Sequence, residues 1–194
     1  MQKKFNAWLI TKENNKTCSS FLELESNKYL NSEVIIQVEN SALNYKDALA
    51  LTGSAPIIRK FPLIPGIDLS GVVIQSKNKK FSEGDRVFTT GWGHGELQNG
   101  GLSSHASTDA DMLIKVPNKY THSYIMGLGT AGLTAMLAVL ALNENSIKPD
   151  AGKVLVTGSS GAVGGIATKL LLKLGYDVVA MTSRPEYNRD YLKS

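Results

Sequence analysis

Residues 154–166 read VLVTGSSGAVGGI, and this stretch limits the fold more than any other in the chain. Gly158, Gly161 and Gly164 stand three apart between an apolar run and an amphipathic one. That order describes a strand, a turn and a helix. A phosphate binds where several backbone N–H groups converge at a helix N-terminus, and glycine keeps side chains from holding the anion off. Gly158 lets the chain leave the strand, Gly161 admits a pyrophosphate, and Gly164 lets the helix pack closely. Ser159 and Ser160 add hydroxyl donors to the same turn. The spacing is G-x-x-G-x-x-G. The usual G-x-G-x-x-G ending at Gly164 needs glycine at 159, where the chain has serine.

The surroundings support a βαβ unit. Lys153–Thr157 reads as a strand, and Val163, Ile166, Ala167, Leu170, Leu171 and Leu174 form one helical face. Gly175 stands at the C-terminal cap, and Asp177–Met181 reads as a second strand and the last complete element. The short-chain pattern T-G-x-x-x-G-x-G requires glycine at 162, where Ala162 stands, and its Y-x-x-x-K partner is missing. The nucleotide is selected after the second strand. An NAD site wants an acid there for the ribose hydroxyls, whereas NADP needs donors and positive charge. The chain reads Met181-Thr182-Ser183-Arg184, two hydroxyls and a guanidinium with no acid, which points to NADP. A doubly wound domain has about six parallel strands, and only two are visible here. The fold is therefore either unusually small or the first part of a longer one.

Ahead of this unit the first 120 residues or so read as β-rich. Ala7–Ile10, Phe21–Leu24, Val34–Val38, Asp68–Gln75, Arg86–Thr90 and Met112–Val116 are strand candidates, with a turn at Glu83-Gly84-Asp85. Asn44–Leu51 is a short helix stopped by Thr52-Gly53. From Ser123 the pattern turns helical, with Leu133, Met136, Leu137 and Leu140 on one face.

The charge of +4 is modest, and apart from Lys77–Lys80 the lysines are scattered, so nucleic acid is not needed to explain it. A single cysteine, Cys18, leaves no internal disulfide and suits a reducing cytoplasm. The N-terminal apolar stretch is too short for a signal peptide. Ile125–Leu142 carries no charge and just reaches membrane-spanning length, but its glycines and threonines and the lack of basic flanks favour burial in a soluble core. No membrane partner is expected.

Five stretches carry a family likeness: SALNYKDALALTG (41–53), FPLIPGIDLSGVV (61–73), TGWGHGELQNGGLSSHA (90–106), GTAGLTAM (129–136) and VTGSSGAVGGIA (156–167). In these the chain resembles the medium-chain dehydrogenase/reductase superfamily, in its zinc-independent, quinone-oxidoreductase-like group and most closely the acryloyl-CoA reductase branch. The G-x-x-G-x-x-G spacing is the one that group uses. The resemblance implies an α/β protein, with a GroES-like β-rich catalytic domain (1–122) followed by the start of a Rossmann NADP-binding domain (123–194) and the cofactor in the cleft between them. Carried over by position, Tyr45 lies against the cofactor. Ser160, Gly161, Ala162 and Val163 hold the pyrophosphate, and Thr182, Ser183 and Arg184 hold the 2′-phosphate. Asn44 and Thr130 fall near the nicotinamide. Members of the family are longer, so the chain reads as about the first three fifths of such an enzyme, a homodimer when full length. The isolated chain is expected to leave part of its sheet uncovered.

Zinc-dependent relatives carry G-H-E where this chain has Gly66-Ile67-Asp68, and His94, His105 and His122 lack ligand spacing, so no zinc is expected. Without a metal, a double bond conjugated to a thioester or quinone carbonyl can still accept hydride at its far carbon. Charge then builds on the carbonyl oxygen, where hydrogen-bond donors stabilise it. Asn44, the Tyr45 hydroxyl and backbone N–H groups are the candidates. The expected function is NADPH-dependent reduction of acryloyl-CoA or similar activated alkenes. The alternatives are NADPH:quinone oxidoreduction or a truncated, non-catalytic NADPH-binding protein.

Overall fold

The computed structural model describes residues 3–193. These divide into two compact units between Thr130 and Ala131. The first opens with an antiparallel hairpin, β1 (Lys4–Glu13) and β2 (Lys16–Glu25), in unbroken register from Lys4↔Glu25 to Glu13↔Lys16. Asn14 and Asn15 join the strands with φ of 48° and 64°. Two left-handed residues make the turn whose twist matches a hairpin, and asparagine tolerates that region. The strand alternation buries Phe5, Ala7 and Leu9 against Leu24, Leu30, Ile35 and Ile64.

After α1 (Ser26–Tyr29) come β3 (Val34–Ala42), α2 (Tyr45–Thr52), β4 (Asp68–Ser76), β5 (Arg86–Thr90), β6 (His105–Thr108) and β7 (Ile114–Lys115). The last five strands make one antiparallel sheet ordered β6-β3-β4-β5-β7. Its core holds Val34, Ile36, Leu69, Val73, Phe81 and Val87. Two strands differ from expectation. β6, HAST, is short and polar and carries no apolar alternation, yet it completes the edge beside β3. Met112–Val116 supplies only the two residues of β7, because Ala110–Met112 turns as a single 3-10 helix.

α3 (His122–Glu144) is interrupted at Gly129, whose φ and ψ are 44° and −147°. Its N-terminus is tied to the sheet. Ser70 donates its hydroxyl to the Val87 carbonyl at 2.9 Å, so it accepts from His122 Nδ1 at 2.6 Å. His122 Nε2 in turn accepts from Arg86 Nε at 3.3 Å. This requires a neutral ring. His94 is also buried, with Nδ1 on the Gly91 carbonyl at 3.0 Å and Nε2 on Thr108 Oγ1 at 2.9 Å. Burial pulls His94, His105 and His122 below the ordinary value of 6.5, and Arg86 adds to this for His122. Below about pH 6.5 the unfolded chain binds protons that the folded one refuses, so stability is complete above that value and is lost as pH falls toward the folded values. Each histidine removes at most about 1.4 kcal/mol per pH unit. Asp47, raised by burial, works in the opposite sense. We expect a lower urea midpoint at pH 5.5 than at 7.5 and a shallower drop in His94→Gln. Equal drops in the two proteins would contradict this.

The second unit contains β8 (Lys153–Thr157), α4 (Ala162–Lys173), β9 (Asp177–Met181) and α5 (Pro185–Lys193). β8 and β9 pair in parallel from Lys153↔Asp177 to Thr157↔Met181. Gly175 ends α4 with φ 86°, its N–H on Leu172 O and that of Tyr176 on Leu171 O, the paired bonds of a Schellman cap. β9 is not the last element, as the sequence reading had it. Pro185 stands at the start of α5, where its missing N–H costs nothing, and α5 meets α4 at the Tyr191 ring over Lys169.

One face of the strands, Val154, Val156 and Val178, packs with Val139, Leu171 and Tyr176. The other exposes Leu155, Val179 and Met181, so a sheet of a kind normally covered on both faces is covered on one. The expected apolar face of α3 is also reversed. Leu133, Met136, Leu137 and Leu140 are exposed, while Ala131, Ala135 and Val139, at i, i+4 and i+8, are buried. By length and composition α3 is apolar enough to cross a membrane, with mean hydropathy 2.0 and a third of its most apolar window buried.

Candidate active site

Asn44 ends β3's exit and caps α2. Its backbone N–H donates to the Asp47 carboxylate at 2.8 Å, one limb of a capping box, and the other oxygen of Asp47 accepts from Ile67 N at 3.1 Å. The Asn44 side chain donates Nδ2 to Asp68 at 2.8 Å. Asp68, 0% exposed at the first residue of β4, also accepts from Thr130 N at 2.9 Å and Thr130 Oγ1 at 2.6 Å. Thus Asn44 and Thr130, 86 positions apart by number, share one buried carboxylate. Tyr45 begins α2 and is 81% exposed, so it is not a packing residue. Asp47 is buried with its carboxyl raised by that burial, and the bonds from Asn44 and Ile67 oppose the rise.

Asp47 and Asp68 were absent from the sequence-derived site. The signal available for Asp68 was its place in Gly66-Ile67-Asp68, a buried acid opening an otherwise apolar strand. Lys46 and Arg59 both reach Glu96, at 2.9 Å and 3.8 Å. Among the described residues no three His, Cys, Asp or Glu side chains are grouped to hold a metal.

In the second unit the glycine turn has the form read from the sequence. Gly158 is left-handed, φ 61°, and Gly161 is the N-cap of α4. A Cβ on Gly164 would stand well inside contact distance of the Gly158 carbonyl oxygen, so this glycine lets the helix pack against the turn. No side chain caps α4 and no acid lies in its first turn. Gly161 N is bonded to Gly158 O, which leaves the N–H groups of Ala162, Val163 and Gly164 to the unsatisfied first turn. That turn suits an anion.

Ser159 departs from expectation. It is buried, donates its hydroxyl to Val156 O at 2.6 Å and accepts from Met181 N at 3.1 Å. It laces the turn to β9 and offers nothing to a phosphate. Ser160 Oγ instead lies 3.0 Å from Thr182 Oγ1, joining the two predicted phosphate segments. Thr182 Oγ1 also accepts from Arg184 N at 3.3 Å and Asn188 Nδ2 at 3.1 Å. Ser183 and Arg184 are exposed ahead of α5.

A β-rich unit followed by a parallel βαβ unit with a glycine turn is the architecture of a nucleotide-dependent oxidoreductase. Residues 31–118 match the alcohol dehydrogenase GroES-like domain, and the chain is similar over nearly all of its length to members of the medium-chain dehydrogenase/reductase superfamily. It is 45% identical over 188 residues to the probable acrylyl-CoA reductase AcuI of Escherichia coli, covering 97% of this chain and 58% of that protein. It is 47% identical over 160 residues to the putative quinone oxidoreductase YhfP of Bacillus subtilis, 82% of this chain and 48% of that protein; a YhfP structure with NAD bound superposes with TM-score 0.92 at 41% identity, over 99% of this chain and 58% of that one. The yhdH oxidoreductase of Salmonella enterica in complex with NADP matches with TM-score 0.92 and 45% identity, over 97% of this chain and 58% of that one. The chain therefore spans about half to three fifths of the length of the relatives it matches.

Proposed function

We propose that the chain supplies the catalytic domain, residues 1–122, and the opening of the nucleotide domain, residues 123–194, of an NADPH-dependent reductase of acryloyl-CoA or similar activated alkenes. The observation that carries the cofactor is the uncapped first turn of α4 beside the Ser160–Thr182 hydroxyl pair and Arg184, with no acid in Met181–Arg184. NADP in the Salmonella enterica complex supports it, as does the acrylyl-CoA reductase likeness for the substrate. Ser160, Gly161, Ala162 and Val163 hold the pyrophosphate, Thr182, Ser183 and Arg184 the 2′-phosphate, and Tyr45, Asn44 and Thr130 the nicotinamide end.

When held by these residues, the cofactor would supply a hydride to the far carbon of the conjugated double bond. The electron pair displaced moves onto the thioester oxygen, and a proton from solvent completes the saturated product at the neighbouring carbon. Tyr45 donates its exposed hydroxyl to that oxygen, and Asn44, whose amide also donates to Asp68, is the second candidate donor. A well-placed donor is worth about 3 to 4 kcal/mol here. The YhfP likeness favours quinone as the second substrate class. We place the protein in the cytoplasm, soluble, as a homodimer, with no nucleic-acid partner. With the nucleotide domain complete, NADPH is expected to be oxidised when acryloyl-CoA is added, and more slowly with a quinone. NADPH binding with no turnover of either acceptor would make it a binding protein.

A further inference from the structure

Asp68 has so far no function of its own. Its carboxylate is fully buried and has no cation against it in any bond described above; its neutralising partners are three donors, Asn44 Nδ2 at 2.8 Å, Thr130 N at 2.9 Å and Thr130 Oγ1 at 2.6 Å. Burying such an acid is costly unless its oxygens are satisfied. The backbone is shaped to satisfy them. Gly129 leaves the helical region at φ 44° and ψ −147°, which breaks α3 and turns Thr130 N toward Asp68. A Cβ on Gly129 would lie 2.6 Å from Asp68 Oδ2, so only glycine serves there.

The chemical consequence falls on Thr130. A hydroxyl has one proton and two lone pairs, and a carboxylate can only accept. With its proton on Asp68 at 2.6 Å, in preference to the longer alternative acceptor Thr90 Oγ1 at 3.4 Å, Thr130 Oγ1 can meet any further partner only as an acceptor. Thr130 is half-buried, as is Asn44. A charged acceptor also strengthens the bond and polarises the hydroxyl oxygen. We propose that Asp68 is a positioning residue that sets the hydrogen-bond polarity of Thr130, making its hydroxyl an acceptor for the N–H of a primary carboxamide. This rests on the reading that a nicotinamide cofactor enters this site, since its carboxamide is such a donor.

The test is direct binding of NADP and of its 3-acetylpyridine analogue, in which a methyl ketone replaces the carboxamide and offers no N–H. The wild type should prefer NADP by about 3- to 10-fold, the value of one neutral hydrogen bond. In Asp68→Asn, whose amide can donate to Thr130, the preference should fall below about twofold, because the hydroxyl is free to reverse. Thr130→Val should do the same and Thr130→Ser should keep the preference, which decides the matter even if Asp68→Asn does not fold. A merely structural role would weaken both ligands by one factor. That result, or a wild type that binds both equally, overturns the role of Asp68 while leaving the cofactor reading intact. A wild type that binds no NADP overturns both.

Discussion

Replacing Arg184 with alanine should weaken NADPH binding by roughly 10- to 150-fold and leave NADH nearly unchanged. The guanidinium is exposed just ahead of α5, and the backbone N–H of Arg184 on Thr182 Oγ1 holds the residue at the end of β9, where Ser160 and Thr182 already stand together. A charge-assisted hydrogen bond to the 2′-phosphate contributes about 1.5 to 3 kcal/mol, which gives that range at 1.4 kcal/mol per decade. NADH lacks the phosphate and has nothing to lose. The exposure of the pair also makes the preference fall with salt, as screening reaches it. Thr182→Ala should act in the same direction with a smaller effect. Titration of both cofactors against wild type and variant decides it; equal losses, or a wild type that prefers NADH as the NAD-bound YhfP structure allows, would remove the basis for an NADP site.

Gly164→Ala should have the contrary signature, a loss shared by both cofactors. The added methyl would be driven into the Gly158 carbonyl oxygen and close to Ser159 Cα at 3.0 Å, and both are backbone of the turn that must meet the pyrophosphate. Neither can give way as a flexible side-chain end would. Gly158 is itself held in a left-handed conformation, and Ser159 is bonded to Val156 and Met181. Relief therefore has to come from moving α4 off the turn. Overpacking of this kind costs about 1 to 3 kcal/mol, read as a lower midpoint for the second unit. Displaced N–H groups of Ala162 and Val163 should cost NADPH and NADH tenfold or more alike. Unchanged affinity for both would mean that the pyrophosphate does not use this turn.

The two variants separate what is local from what is not. The glycine turn was legible because each step has a one-residue cause: a left-handed exit at Gly158, a helix start at Gly161, a Schellman end at Gly175, and strands whose apolar residues lie on either side of them. The same holds for α2 and its stop at Gly53, φ 67°. Where the local signal is symmetric or silent, the reading failed. α3 is apolar all round, so periodicity named the face with the larger residues, while packing buried the smaller Ala135 and Val139, which let neighbours approach. Ser159 and Ser160 are identical in sequence terms, yet one is enclosed beneath β9 and the other faces Thr182.

The sequence by itself determined the order of elements, the glycine turn, the two-hydroxyl and arginine ending of β9 and the family likeness, because these depend on φ preferences, periodicity and neighbours along the chain. Only the tertiary structure decided that Asn44 and Thr130 meet at the buried Asp68 carboxylate, since bonds spanning 24 and 62 positions leave no mark on local composition. They exist because burying the Asp68 carboxylate demands donors from wherever the fold can bring them.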